Sequence, residues 1–142
     1  MAEVGSALRT KLLTYSSVSD LVGTRIYPDA LLQGCTLPAV VYTKISTERE
    51  HELSDVTRLS HARIQFDCYS NKTGGRIAAN GVAAAIQKSG ICAYRGTTDG
   101  IAFQSIQIDS GDSYGSEPPS DGNQEHRYIT SFDLRVSYLE ST

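Results

Sequence analysis

The sequence predicts an α+β fold in which an antiparallel β-sheet of four to five strands carries two helices packed on one face. Residues 62–68 and 132–138 alternate apolar and polar side chains with a period of two, as half-buried strands do. Residues 3–14 and 72–88 instead space their apolar residues for one face of a helix. Adjacent strands are joined by short connections, which favours antiparallel pairing in a two-layer domain. With 142 residues, the chain has the length of one domain spanning 1–142.

Val4, Ala7, Leu8, Leu12 and Tyr15 form the stripe of a first helix over Glu3–Thr14. The Ser- and Asp-rich run Tyr15–Asp20 breaks it, because these side chains compete for backbone hydrogen bonds. Ser19 or Asp20 then caps a short turn through Leu21-Val22 that Gly23 ends. Arg25-Ile26-Tyr27 reads as a short extended piece stopped by Pro28, and 29–38 as a loop. Ala39–Ser46, rich in β-branched and aromatic residues, is a strand covered partly on both sides, with Val40/Tyr42 on one face and Val41/Thr43/Ile45 on the other.

Ala62, Ile64, Phe66 and Cys68 give the next strand a buried face, and His61, Arg63, Gln65 and Asp67 give it a polar one that must meet water or a partner. Asn71 is placed to cap an alanine-rich second helix running from Lys72 or Thr73 to Lys88. Its buried face would hold Ile77, Gly81, Val82, Ala85 and Ile86, with Gly81 allowing close approach to the sheet, and Ser89-Gly90 ends it. After a short apolar stretch at 91–94 and a turn at Gly96–Gly100, Ile101–Ile108 is a strand with Ala102, Ile106 and Ile108 on one side. Asp109–Glu125, with Pro118-Pro119 and no periodicity, reads as a long acidic surface loop. The last strand, Arg127–Leu139, turns Phe132, Leu134, Val136 and Tyr138 one way and Asp133, Arg135 and Ser137 the other.

The net charge of −3 and the absence of a Lys/Arg cluster argue against a grip on duplex DNA, whose affinity comes mainly from neutralising phosphates. Cys35, Cys68 and Cys92 have neither a zinc-site spacing nor the even number of a disulfide framework. The N-terminus lacks the basic and apolar regions of a signal peptide, and no segment approaches the roughly 20 apolar residues of a membrane span. The expectation is a soluble protein kept in a reducing cytoplasm.

Candidate chemistry is sparse. Gly111-Asp112-Ser113-Tyr114-Gly115 matches the nucleophile elbow of serine hydrolases, but Ser116-Glu117-Pro118-Pro119 stands where the helix should begin, and His126 is the sole later histidine. Ser113 is therefore read as a loop serine, with a small hydrolase as the enzyme alternative. His51, His61 and His126 show no ligand spacing, and the acids of 109–125 fit no calcium loop, so no metal and no cofactor is expected. Asn71-Lys72-Thr73, formally a glycosylation sequon, is better explained by capping. A small ligand-binding α+β module is a further alternative.

The segment Thr47–Ser60 is more informative. Side chains alternate along a strand, so Glu48, Glu50 and Glu52 fall on one face of the arm and Arg49 and His51 on the other. Mixed charge of this kind protects a hairpin edge from aggregation. It also suits head-to-tail docking on a neighbouring copy, with Arg58 and Arg63 completing the surface, and such a contact closes into a ring when the rotation permits.

The Pro38-Ala39-Val40-Val41-Tyr42 run, the Gln65-Phe66-Asp67-Cys68-Tyr69-Ser70 run before the alanine-rich helix, and the order of elements from about Ala7 to Tyr138 resemble the tail-completion or tail-terminator family of long-tailed bacteriophages, prophages and gene transfer agents. The resemblance implies a structural, non-enzymatic α+β subunit that forms a hexameric ring, caps the tail tube and joins it to the head connector. It implies as partners the chain itself, the tail tube protein and the connector protein, with DNA only passing through. It implies as location the virion tail at the head–tail junction, after assembly in the host cytoplasm. Another ring component of the neck is the alternative within that class. A ring through which DNA slides should not hold phosphates, so Asp109, Asp112, Glu117 and Asp121 are candidates for facing the lumen.

Overall fold

The computed structural model describes residues 3–31, 36–51, 56–71, 75–117 and 127–139. Helices α1 (Val4–Leu12), α2 (Ser16–Val22) and α3 (Gly75–Lys88) cover one face of a sheet of six strands. The strands are β1 (Ile26–Pro28), β2 (Ala39–His51), β3 (Val56–Ser70), β4 (Gly96–Thr98), β5 (Ile101–Glu117) and β6 (Arg127–Leu139), in the spatial order β1-β2-β3-β6-β5-β4. The α+β class agrees with expectation, but the sheet has six strands rather than four to five, and three α-helices stand in place of two. Nor is the sheet wholly antiparallel, since β1 pairs parallel to β2 through Ile26–Val40 and its neighbours.

The four central strands are antiparallel, and alternation places their apolar halves under the helices. Ile64, Phe66, Cys68, Phe132, Leu134 and Val136 are buried there with Leu8, Leu12, Val82 and Ile86. Phe66 stacks on Phe132 with ring centroids 5.5 Å apart and meets Tyr42 at 6.4 Å. Val4, Ala7, Leu8 and Leu12 are all buried, as the stripe of α1 requires. The Ser-rich run beyond it does not end in a mere turn. It forms α2, which buries Val18 and Val22 and stops at Gly23.

Several expectations fail where bulges or tertiary contacts intervene. Helix α3 is described from Gly75, the expected start at Lys72 or Thr73 lying outside the described residues, and the Asn71 carbonyl accepts the Gly75 amide at 2.7 Å. Ile77 is 85% exposed instead of buried, and a Cβ on Gly81 would meet nothing within 4 Å. The close approach occurs at Gly5 of α1, where a Cβ would lie 2.8 Å from the Tyr42 ring. The stretch 96–98 is a strand pairing with 101–103, not part of a turn. A bulge between Phe103 and Ser105 turns Ile106 inward, opposite Val136, while Ala102 faces the other side. Finally, 109–117 is no loop. β5 continues to Glu117, paired with Arg127, because three irregularities absorb the extra residues without ending the ladder.

Candidate interaction surface

The face of the sheet opposite the helices is assembled from the polar half of each alternating strand. Direct pairing brings Glu48 of β2 beside His61 of β3, and His61 beside Ser137 of β6. One step along, Ser46, Arg63, Arg135 and Gln107 form a row across β2, β3, β6 and β5. Ser46, Glu48, His61, Arg63, Asp109 and Arg135 line a shallow depression of about 150 Å³.

Arg63 and Arg135 lie directly opposite, an arrangement that like charge disfavours. Carboxylates offset it. Arg63 Nε donates to Asp133 Oδ2 at 2.7 Å, on the diagonal neighbour, and lies 3.3 Å from Asp109 Oδ2. The Asp133 hydrogen bond, reinforced by the charges of Asp109 and Asp133, raises the Arg63 pKa above its ordinary value. Asp109 reaches this face from the irregularity between Ile108 and Ser110, which re-aims it toward β3. Along the same face His61 Nδ1 and Ser137 Oγ are 2.7 Å apart, and Asp67 accepts from Ser131 at 2.6 Å and from Gln65 at 2.8 Å. The Arg63 side chain remains 45% exposed, so its pairs fix geometry more than they stabilise the fold.

The candidate residues divide accordingly. Glu48, Arg63 and Asp109 are brought together at the depression. Arg49 pairs in register with Ser60 and His51 with Val56, the ladder being irregular at Glu50 between them, and Arg58 lies within β3. Glu52 and Asp121 fall outside the described residues. Asp112 does not accompany Asp109: it accepts from Gln87 of α3 at 2.7 Å, on the helix side of the sheet. Glu117 pairs with Arg127 at the far end of β5. Asp133, Arg135 and Ser137 join the surface without having been singled out. Their alternation in 127–139 gave the face, but only the β3–β6 register sets them beside His61 and Arg63.

At the opposite end of the sheet, Arg76 fastens the first turn of α3 to β5 and β6. Its guanidinium donates to the carbonyls of Ile129 at 2.6 Å and Gly115 at 2.8 Å, over the rings of Tyr114 and Tyr128. Asn80 accepts from the buried Thr130 hydroxyl at 2.6 Å. Ser113 lies within β5 and its hydroxyl contacts the Ser131 carbonyl at 3.5 Å, so the strand-to-helix turn of a nucleophile elbow is not formed. Among the described residues no group of three or more His, Cys, Asp and Glu side chains is arranged to hold a metal ion. No helix there is long and apolar enough to cross a membrane.

Comparison with known proteins adds a family. The sequence pattern of the tail completion protein gp17 family matches residues 6–113, which is most of the chain. A chain in a structure described as the virion of a native gene transfer agent particle is similar in fold, with a TM-score of 0.55 at 15% identity over 96% of this chain and 99% of its own. A second solved chain is 15% identical over 90% of this chain and 93% of its own, with a TM-score of 0.40. No curated protein matches in sequence.

Proposed function

The chain belongs to the tail completion protein gp17 family, and from that premise we propose that it is a tail terminator, a non-enzymatic virion subunit that assembles into a hexameric ring. The ring caps the finished tail tube and joins it to the head connector, so that its partners are its own copies, the tube protein and the connector protein. It sits at the head–tail junction of the particle after assembly in the bacterial host. The observation that carries this reading is the sheet face opposite the helices: Arg63 with Asp109 and Asp133, flanked by Glu48, His61 and Arg135, is a preformed polar surface with both signs of charge. Such a surface is soluble when free and complementary to a neighbour presenting the opposite pattern. The likeness in fold to a chain of a gene transfer agent virion agrees with a place in the particle.

In this reading Glu48, Arg49, Glu50, His51, Glu52 and Arg58 belong to a docking arm, and Arg63 to the surface it adjoins. Asp109, with Glu117 and Asp121, borders the passage, where negative charge lets DNA slide instead of holding it, whereas Asp112, held by Gln87 on the helix side, does not. Negative-stain microscopy of the purified protein tests the assembly, with six-fold rings expected and monomers at every concentration overturning it. Reversal of Glu48 and Glu50 to Lys tests the arm; an unchanged assembly size counts against it.

A further inference from the structure

Among the described residues, the two outer strands of the four-strand core are long and mostly unpaired on their outward sides. β1 covers only Val40–Tyr42 of β2, and β4 only Ile101–Phe103 of β5. Among the described residues this leaves Thr43–His51 of β2 and Gln104–Glu117 of β5 as free sheet edges. Unpaired strand edges are templates for another chain. At β1 the edge does not compete for the role. Arg9 already occupies the outer carbonyls at β1, donating to Ile26 O at 2.7 Å and Thr24 O at 3.0 Å.

We propose that the β5 edge of one copy pairs antiparallel with the β2 edge of the next, joining the sheets of neighbouring copies head to tail. The proposal rests on the ring reading and specifies how the ring is built. Its first support is phase. In an antiparallel sheet the residues opposite one another either both bond together or both point away, so the direction of hydrogen bonding alternates from strand to strand. Across rows such as Thr47–Ala62–Val136–Ile106, four strands deep, this rule makes the outward-pointing residues of the two edges coincide in height. A copy laid alongside with no slip, or an even one, continues both the hydrogen-bond ladder and the helix-facing and polar faces.

The second support is the offset. For β2 of the neighbour to reach β5, the neighbour's β1 must clear the end of β5 at Glu117. That takes a slip of about six residues, or about 20 Å, against a width of about 19 Å for four strands. The resulting inclination of about 45° is at the upper end of the tilt with which strands close into barrels, ~35–45°. The third support is charge. At that offset Ser46–Glu48 lie along Ser113–Gly115, Arg49 comes opposite Asp112, and Lys44, already 3.4 Å from Glu3 of its own chain, comes beside Ser116. The free stretch of β5 carries three acids and no base, and although Glu48 and Glu50 of β2 also fall along it, the register sets Arg49 against Asp112.

The test is covalent capture. With Cys35 and Cys92 replaced by Ser, Ser46→Cys and Gly115→Cys are combined in one chain. Within a copy these positions are separated by β3 and β6 and by the axial offset, too far for a disulfide. Mild oxidation is expected to give a ladder of covalent multimers from the double variant and monomer from each single variant. Arg49→Glu is expected to reduce the assembled fraction at least tenfold, and Asp112→Lys in the same chain to restore it. Rings by microscopy without the ladder or the charge rescue overturn the edge pairing and leave the ring reading standing. Dimers from either single variant overturn it in favour of a two-fold contact. A ladder accompanied by open filaments supports the pairing and overturns ring closure, and the absence of both ladder and rings overturns both.

Discussion

Strand β3 runs through the middle of the molecule with two different surroundings on its two sides. Ile64, Phe66 and Cys68 on the helix side are at most 1% exposed, whereas the side chain of Arg63, next to Ile64 in the chain, is 45% exposed. The first side is held by burial of apolar area, which is insensitive to direction and costly to interrupt. The second is held by hydrogen bonds and ion pairs that water competes for, each contributing little. One strand therefore separates a packed side from a polar, partly exposed one residue by residue, and substitutions on its two sides should separate as cleanly.

The strongest way to break this comparison is at the aromatic stack. Phe66→Ala removes a side chain 1% exposed and stacked on Phe132, and should cost about 3–5 kcal/mol in urea unfolding. A loss below ~1 kcal/mol would mean the helix layer does not hold the sheet. Thr130→Val leaves the Asn80 amide oxygen without its 2.6 Å donor and should cost about 1–3 kcal/mol.

A pH series sharpens the same contrast. Burial pushes the Cys68 thiol up from its ordinary 9.0, and burial likewise raises Tyr42 and Tyr15, with the charge of Glu3 adding to the first and that of Tyr94 to the second. Folded chains thus retain protons that unfolded chains release. The stability is fully present below the unfolded thiol's pKa and falls as pH rises above about 9, by up to ~1.4 kcal/mol per pH unit for Cys68. Cys68→Ala should flatten that part of the slope in urea midpoints measured between pH 7 and 10.5.

Glycines supply a smaller pair with opposite signs. Gly81→Ala, in an exposed helix interior with open space at the Cβ, should stabilise by about 0.5–1 kcal/mol. Gly5→Ala should lower the thermal midpoint, because its Cβ meets the Tyr42 ring at 2.8 Å. At the small end stands Arg63→Ala, expected to leave the urea midpoint within error while reducing assembly measured by light scattering. A large loss of stability there would erase the distinction between the two faces.

Much of this was written in local pattern. Period-two alternation identified β3 and β6 with the correct residues inward, and helical spacing identified α1 and the buried Val82 and Ile86 of α3. The resemblance carried by the strand-to-helix join pointed to the tail completion family, to which the chain belongs. Where pattern failed, an inserted residue or a distant partner was responsible. The irregularities of β5 broke its alternation, so a strand read as a loop, and Asp109 and Asp112, close in sequence, part to opposite faces.

Side-chain periodicity belongs to the chain itself, because backbone geometry fixes which residues share a face. The sequence alone therefore determined which residues are buried along its regular strands and which are offered to water. Strand order and register are set by contacts between residues far apart in sequence, whose energies depend on the whole packed arrangement. For that reason only the tertiary structure decided that Arg63 meets both Asp109 and Asp133, that Arg76 ties α3 to β5 and β6, and that β2 and β5 become the outer strands of the core.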